Sequence, residues 1–181
     1  MNSALSKKIS LTVEWVPRRF IRTADALSKL PDHDDWETTY YFFNELSALW
    51  GPFDIDRFAD QDNAKVGRFN SKFHCPGTEH VNAFTTSWGK LNNYIVPPVS
   101  SVPRVLRHME ASGSHGVLIV PYWLSASFFP CLVNSHGSFR NFVADYKVFS
   151  PLTRIQQGKN TSVFIGSQNF KSDILAIKLQ F

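Results

Sequence analysis

The stretch Asn93-Tyr94-Ile95-Val96-Pro97-Pro98-Val99-Ser100 constrains the fold more than any other part of the chain. An apolar run meets two consecutive prolines, then Ser101-Val102-Pro103, then Arg104 to Glu110. Proline lacks a backbone N–H and fixes φ, so the pair must end a central strand. A rigid loop and a helix are expected beyond it. A second apolar strand, Gly116 to Trp123, is again stopped by proline (Pro121) at its carboxyl end. Two strands joined by a helix of about a dozen residues form a βαβ unit with parallel strands. In open α/β sheets the carboxyl edge of such strands is where ligands bind.

The 181 residues suit one α/β domain with an appendage, and can bury a sizeable core. Hydrophobic residues make up 43% and charged residues 19%, which excludes wholesale disorder. The abundant Phe and Trp read as core and interface packing in preference to base stacking. No apolar run reaches the roughly 18 residues of a membrane span. No apolar segment comes after Lys7 and Lys8, so no secretory signal is expected. Two cysteines, Cys75 and Cys131, make no disulfide framework, and the expected setting is a reducing one, cytoplasm or nucleus.

Charge is unevenly placed. Residues 1–30 hold Lys7, Lys8, Arg18, Arg19, Arg22 and Lys29 against Glu14 and Asp25. That is the whole net charge of +4, because residues 31–181 carry 13 basic and 13 acidic side chains. The basic excess is either a contact for an anionic partner such as nucleic acid or a solvated end.

Along the chain, residues 9–16 alternate apolar and polar and read as a strand ended by Pro17. Thr23 to Leu30 reads as a short helix stopped by Pro31, and residues 31–35 as an acidic linker. The three-and-four spacing of Trp36, Tyr40, Phe43, Leu46 and Trp50 predicts an amphipathic helix over 36–50, capped by Asp34 or Asp35. Residues 53–60 read as a short strand running into a polar turn. His33, His74-Cys75 and His80 lack the paired spacing of a zinc site. Cys131 lies in an apolar run and reads as a buried thiol. Ser114-His115 and Ser135-His136 read as turns, without a nucleophile elbow to support a hydrolase triad. No phosphate-cradling glycine loop is present.

Two resemblances add to this. Trp15-Val16-Pro17-Arg18 followed by Ala24-Asp25-Ala26-Leu27-Ser28 resembles the last strand and helix of a retroelement RNase H domain. The resemblance places Asp25 at the final carboxylate of a two-metal site. Such a site needs several convergent carboxylates to hold cations about 4 Å apart, so metal binding by Asp25 is expected only in an intact RNase H domain. From Phe53-Asp54-Ile55-Asp56 through Asp62-Asn63-Ala64-Lys65, Tyr94 to Val99 and Gly116 to Trp123, the chain resembles phage-type, Dam-like DNA adenine methyltransferases. Ser162 to Gly166 and Ser172 to Phe181 resemble the closing antiparallel strands of that fold.

The second resemblance implies an acidic residue for S-adenosylmethionine at Asp56, and an adenine-binding loop at Pro97-Pro98. In that family Asp or Asn precedes the prolines and an aromatic comes after them. Here Val96 and Val99 stand in those places, and neither can accept a hydrogen bond or offer a π-face. Tyr94 and Tyr122 are nearby aromatics, but not at the matching positions.

An RNase H end joined to a Dam-like domain resembles DIRS-type retrotransposon polyproteins, which implies a truncated fragment of such an element. The sequence therefore predicts an α/β, Rossmann-related methyltransferase-like mixed sheet over residues 36–181, preceded by a strand-helix RNase H remnant over 1–30. The expected function is a non-catalytic, nucleic-acid-associated domain without a cofactor, with no membrane association and with other polyprotein parts as partners. The alternatives are an active adenine methyltransferase using S-adenosylmethionine, and a purely structural interaction domain.

Overall fold

The computed structural model describes residues 36–157 and 170–181. The strand expected at 9–16, the helix at 23–30, the acidic linker and the strand at 162–166 lie outside the described residues. The chain divides into two compact units at Leu30–Pro31, and every described residue belongs to the second.

The centre is a five-stranded sheet. In chain order its members are β2 (Ile55–Asp56), β5 (Asn92–Ile95), β6 (His115–Pro121), β7 (Val143–Phe149) and β9 (Ile174–Gln180), arranged β2-β5-β6-β9-β7. β2, β5 and β6 are parallel, while β9 runs antiparallel to both β6 and β7. The expected βαβ unit is present: α2 (Val102–Ser112) connects β5 to β6. It ends at Gly113, whose φ of 54° is the left-handed cap that glycine accepts without strain. Gly116 serves close approach: a Cβ there would strike Asn93 on the neighbouring strand.

The central strands β5, β6 and β9 are apolar on both sides because both faces are covered. On one face Tyr94, Val117, Ile119, Ile174 and Ala176 pack against Phe42 and Leu46 of α1 (Tyr40–Trp50). On the other, Ile95, Leu118, Val120, Leu175 and Ile177 pack against Val102, Val105, Leu106 and Met109 of α2. Period-two alternation along each strand deals its side chains to the two cores.

Two of the expected elements are corrected by the structure. The helix starts at Tyr40, not Trp36: Thr39 is the N-cap, its Oγ1 accepting from the Phe42 N–H at 3.2 Å. Trp36–Thr38 is instead a strand, β1, paired antiparallel with β8 (Ile155–Gln157). The spacing of Trp36 to Tyr40 imitates a helical stripe, but Trp36 and Thr38 are both buried at strand period. The stripe shifts accordingly, with Phe42 and Leu46 fully buried and Tyr40 exposed. The strand within 53–60 is only Ile55–Asp56. The described antiparallel partner of the final strand, besides β6, is Val143–Phe149, a segment to which the sequence pattern assigns no element. Two short strands, β3 (Asn70–Ser71) and β4 (His80–Val81), pair with each other in parallel.

No helix among the described residues is long and apolar enough to cross a membrane.

Candidate functional site

The three parallel strands all end on one edge of the sheet, carrying Asp56, Val96 to Pro98 and Tyr122 to Trp123 there. Sequence reasoning puts Asp56 and the prolines in one site. The geometry brings them to the same edge.

Asp56 is 3% exposed and occupies the last position of β2. Its Oδ2 accepts from the Lys65 N–H at 3.2 Å and its Oδ1 from the Phe58 N–H at 3.4 Å. These bonds come from a loop that Asp60 folds tightly, its Oδ1 accepting from the backbone N–H groups of Asp62 and Asn63. The turn is self-capping, since the Asn63 Oδ1 accepts from the Asp60 N–H. Burial pushes the Asp56 carboxyl up to about 6, and the two backbone donors and the nearby Lys65 ammonium offset this only in part. A buried carboxyl with so few partners at this edge is a candidate site group.

Beside it lies a cavity of about 10 Å³, room for about one water. Its lining includes Asp56, Phe58, Lys65, Tyr94, Val96 and the β1 residues Trp36 to Thr38. Tyr94 is fully buried; its hydroxyl shares a 2.7 Å hydrogen bond with Thr38 Oγ1, and burial raises its pKa well above the phenolic range. The indole Nε1 of Trp36 donates to the Pro97 carbonyl oxygen at 3.0 Å. The Lys65 ammonium lies 3.3 Å from the Glu37 carboxylate, donates to the Asn63 carbonyl at 2.8 Å and sits 4.8 Å from the Tyr40 ring centroid.

The proline loop has no side-chain acceptor of its own. Val96 is buried in the α1-side core, and Val99 is half-buried between both cores. Tyr122 packs among the α2-side aromatics, 6.1 Å from the Phe129 ring, and does not line this cavity.

The remaining candidates separate from the site. Asp25, Lys7, Lys8, Arg18, Arg19, Arg22 and His33 lie outside the described residues. No cluster of His, Cys, Asp and Glu able to hold a metal occurs among the described residues. Cys131, expected to be buried, is half-buried because its 3-10 turn sits at the rim of the α2-side core. Ser114 is fully buried and its hydroxyl donates to the Met109 carbonyl, a helix-end role. Ser135 and His136 are exposed neighbours in a turn.

Sequence reasoning missed Trp36, Thr38 and Lys65 as parts of this edge. Lys65 carried a signal, standing in the same Asp-Asn-Ala-Lys run that supported the resemblance. Trp36 carried none, because helical spacing explained it.

A family model described as DNA N-6-adenine-methyltransferase (Dam) matches residues 26–179. No curated protein matches the chain.

Proposed function

The chain belongs to the DNA N-6-adenine-methyltransferase (Dam) family, and from that premise we propose that it is a methyltransferase-fold domain that associates with nucleic acid without methylating it. One observation carries this reading: the positions flanking Pro97-Pro98 are Val96, buried in core, and Val99, half-buried against it. To select adenine from a duplex, an enzyme must extrude the base and satisfy its hydrogen-bonding edge. A buried valine in place of an acceptor leaves the amine unpaired, at a cost of about 1–3 kcal/mol for each unmet group. The test is methyl transfer from labelled S-adenosylmethionine to unmethylated DNA. Incorporation at background is expected. Incorporation that disappears in Asp56→Asn overturns the reading.

The second reading, an active methyltransferase, is favoured by Asp56. It stands at the carboxyl end of the first parallel strand, buried and facing a cavity, where an acidic residue can hold the cofactor's polar groups. In that reading S-adenosylmethionine would supply the methyl group, Asp56 would orient it and the Pro97 carbonyl would accept from the adenine amine. Chemistry would then rest on a loop with one acceptor fewer than the family pattern.

The finer reading concerns the residues ahead of the sheet. Residues 1–30 are proposed as the end of an RNase H domain from a DIRS-type element, with Asp25 an orphaned metal-site carboxylate. Lys7, Lys8, Arg18, Arg19 and Arg22 are then the nucleic-acid contacts, and other parts of the parent polyprotein the protein partners. Neutralising those five side chains should flatten the salt dependence of DNA and RNA binding, by about one unit of slope for each phosphate no longer neutralised. An unchanged slope would remove the assignment.

A further inference from the structure

Trp36 does something at the sheet edge that a core tryptophan need not do. The residue is 3% exposed and stands with Asp56, Tyr94 and Val96 among those that enclose the cavity. Its N–H is directed at the carbonyl of Pro97, on the one loop of this edge that two prolines deprive of backbone donors. A planar bicycle with an N–H donating to that oxygen has the shape and polarity of a purine presenting its amine.

The strand that carries it is tethered by the side chains that come after the ring. Thr38 Oγ1 is 2.7 Å from the Tyr94 hydroxyl, and Glu37 pairs with Lys65 at 3.3 Å. Lys65 is also the residue whose N–H holds Asp56. At the far end the Thr39 N–H and hydroxyl donate to the Arg154 and Thr153 carbonyls. β1 is three residues long and pairs with a β8 of three residues, so its hold on the sheet edge comes from these tethers more than from a ladder.

We propose that Trp36 is an internal occupant of a ring-binding slot at the carboxyl edge, and that β1 is a strap whose lifting admits a planar heterocycle bearing an N–H donor, such as adenosine. This rests on the methyltransferase-fold reading and names what keeps its pocket shut. A site that is open for only a small fraction of the time binds with its intrinsic affinity reduced by that fraction. Removing the occupant therefore raises apparent affinity without adding a contact.

The experiment titrates adenosine, and indole as a ring-only probe, into the wild-type chain and Trp36→Gly, with cooperative melting as the check of fold. Saturable adenosine binding at least tenfold tighter in the variant upholds the strap. Indole binding without adenosine binding shows a plain cavity and overturns the ligand class. A folded Trp36→Gly that binds neither, or a wild-type chain that binds adenosine as tightly as the variant, overturns the occupant. Should Trp36→Gly not fold, the Glu37→Gln/Thr38→Val double variant decides, since it loosens the tethers and keeps the ring. A tenfold gain upholds the strap and an unchanged affinity sinks it. The non-methylating reading stands or falls separately, on methyl transfer by the wild-type chain.

Discussion

Asp56 and Arg57 are consecutive, both buried, and both charged groups for which burial is costly, yet the protein treats them in opposite ways. Arg57 is 2% exposed and answered on every side. Its Nε donates to Asn93 Oδ1 at 2.7 Å, its Nη1 to Asn70 Oδ1 at 2.8 Å, and its guanidinium lies 5.2 Å from the Trp88 ring centroid. Desolvation lowers its pKa only to about 10, and it stays charged at any physiological pH. Asp56 has two long backbone bonds and a cavity. The first charge is structural, pinning β5 to the β3 segment. The second is left with few partners at the carboxyl edge of the parallel strands, and that contrast is what supports the role proposed for it.

The largest test of this contrast is Arg57→Met. It leaves the Asn70 and Asn93 side-chain oxygens buried without their donor, at about 1–3 kcal/mol each. Urea denaturation should show a loss of about 3 kcal/mol or more. A loss below about 1 kcal/mol would mean that Arg57 is as dispensable as its neighbour.

Asp56→Asn should act with the opposite sign. The folded pKa of Asp56 is raised from 3.8 to about 6, so the carboxyl favours the folded state when protonated. That contribution is complete below pH 3.8 and is lost as pH rises through about 6. The shift of about two units corresponds to about 3 kcal/mol at most. Asn removes the charge and keeps one acceptor. The variant should gain on the order of 1–3 kcal/mol near pH 7 and lose the wild type's decline between about pH 4 and 7. Parallel pH profiles for the two proteins would show that Asp56 is better solvated than its burial implies.

How much of this was legible beforehand depends on the range of the interactions. The Tyr94–Pro98 stop, the helix beyond it and the Gly116 strand are local signals, written in proline chemistry and apolar runs, and the structure repeats them. Asp56 was singled out by resemblance, and the structure puts it at the last position of β2. Trp36 did not come through, because its strand pairing with Gln157 and its hydrogen bond to Pro97 lie far along the chain, while its four-residue offset from Tyr40 fitted a helix. β7 escaped for a related reason: it is an edge strand whose middle residues, Ala144 to Val148, are exposed, and its polar-apolar alternation over Asp145 to Val148 is too short to mark a buried face. The Asp145 carboxylate further blunts that edge by accepting from the Tyr146 N–H at 2.8 Å and from Trp50 Nε1 at 3.0 Å.

A smaller effect separates the strap from the core beneath it. Thr38→Val removes the bond to Tyr94 while keeping shape, and leaves a fully buried phenol hydroxyl without that partner. The expected cost is about 1–2 kcal/mol. Amide exchange should quicken in β1 and β8 and hold steady in β5 and β6. Equal acceleration in all four would mean that the strap is part of the core and cannot lift alone.

The smallest effect is the most telling about where Asp56 gets its support. Arg68 and Glu79 form a bidentate pair at 2.8 and 2.9 Å, but the two side chains are 50% and 34% exposed. Each shifts the other toward its charged form, and solvent screens most of that gain. Arg68→Ala should cost about 0.5 kcal/mol, less at 1 M salt, where the screening length shrinks from about 10 Å to about 3 Å. The Arg68 carbonyl accepts from the Asp56 N–H at 2.9 Å, so the ion pair sits on the segment that holds the buried carboxyl. That hold is made by the backbone. The pH profile assigned to Asp56 should therefore survive Arg68→Ala unchanged, and a shift of its midpoint would place the control of Asp56 on the surface instead of in the fold.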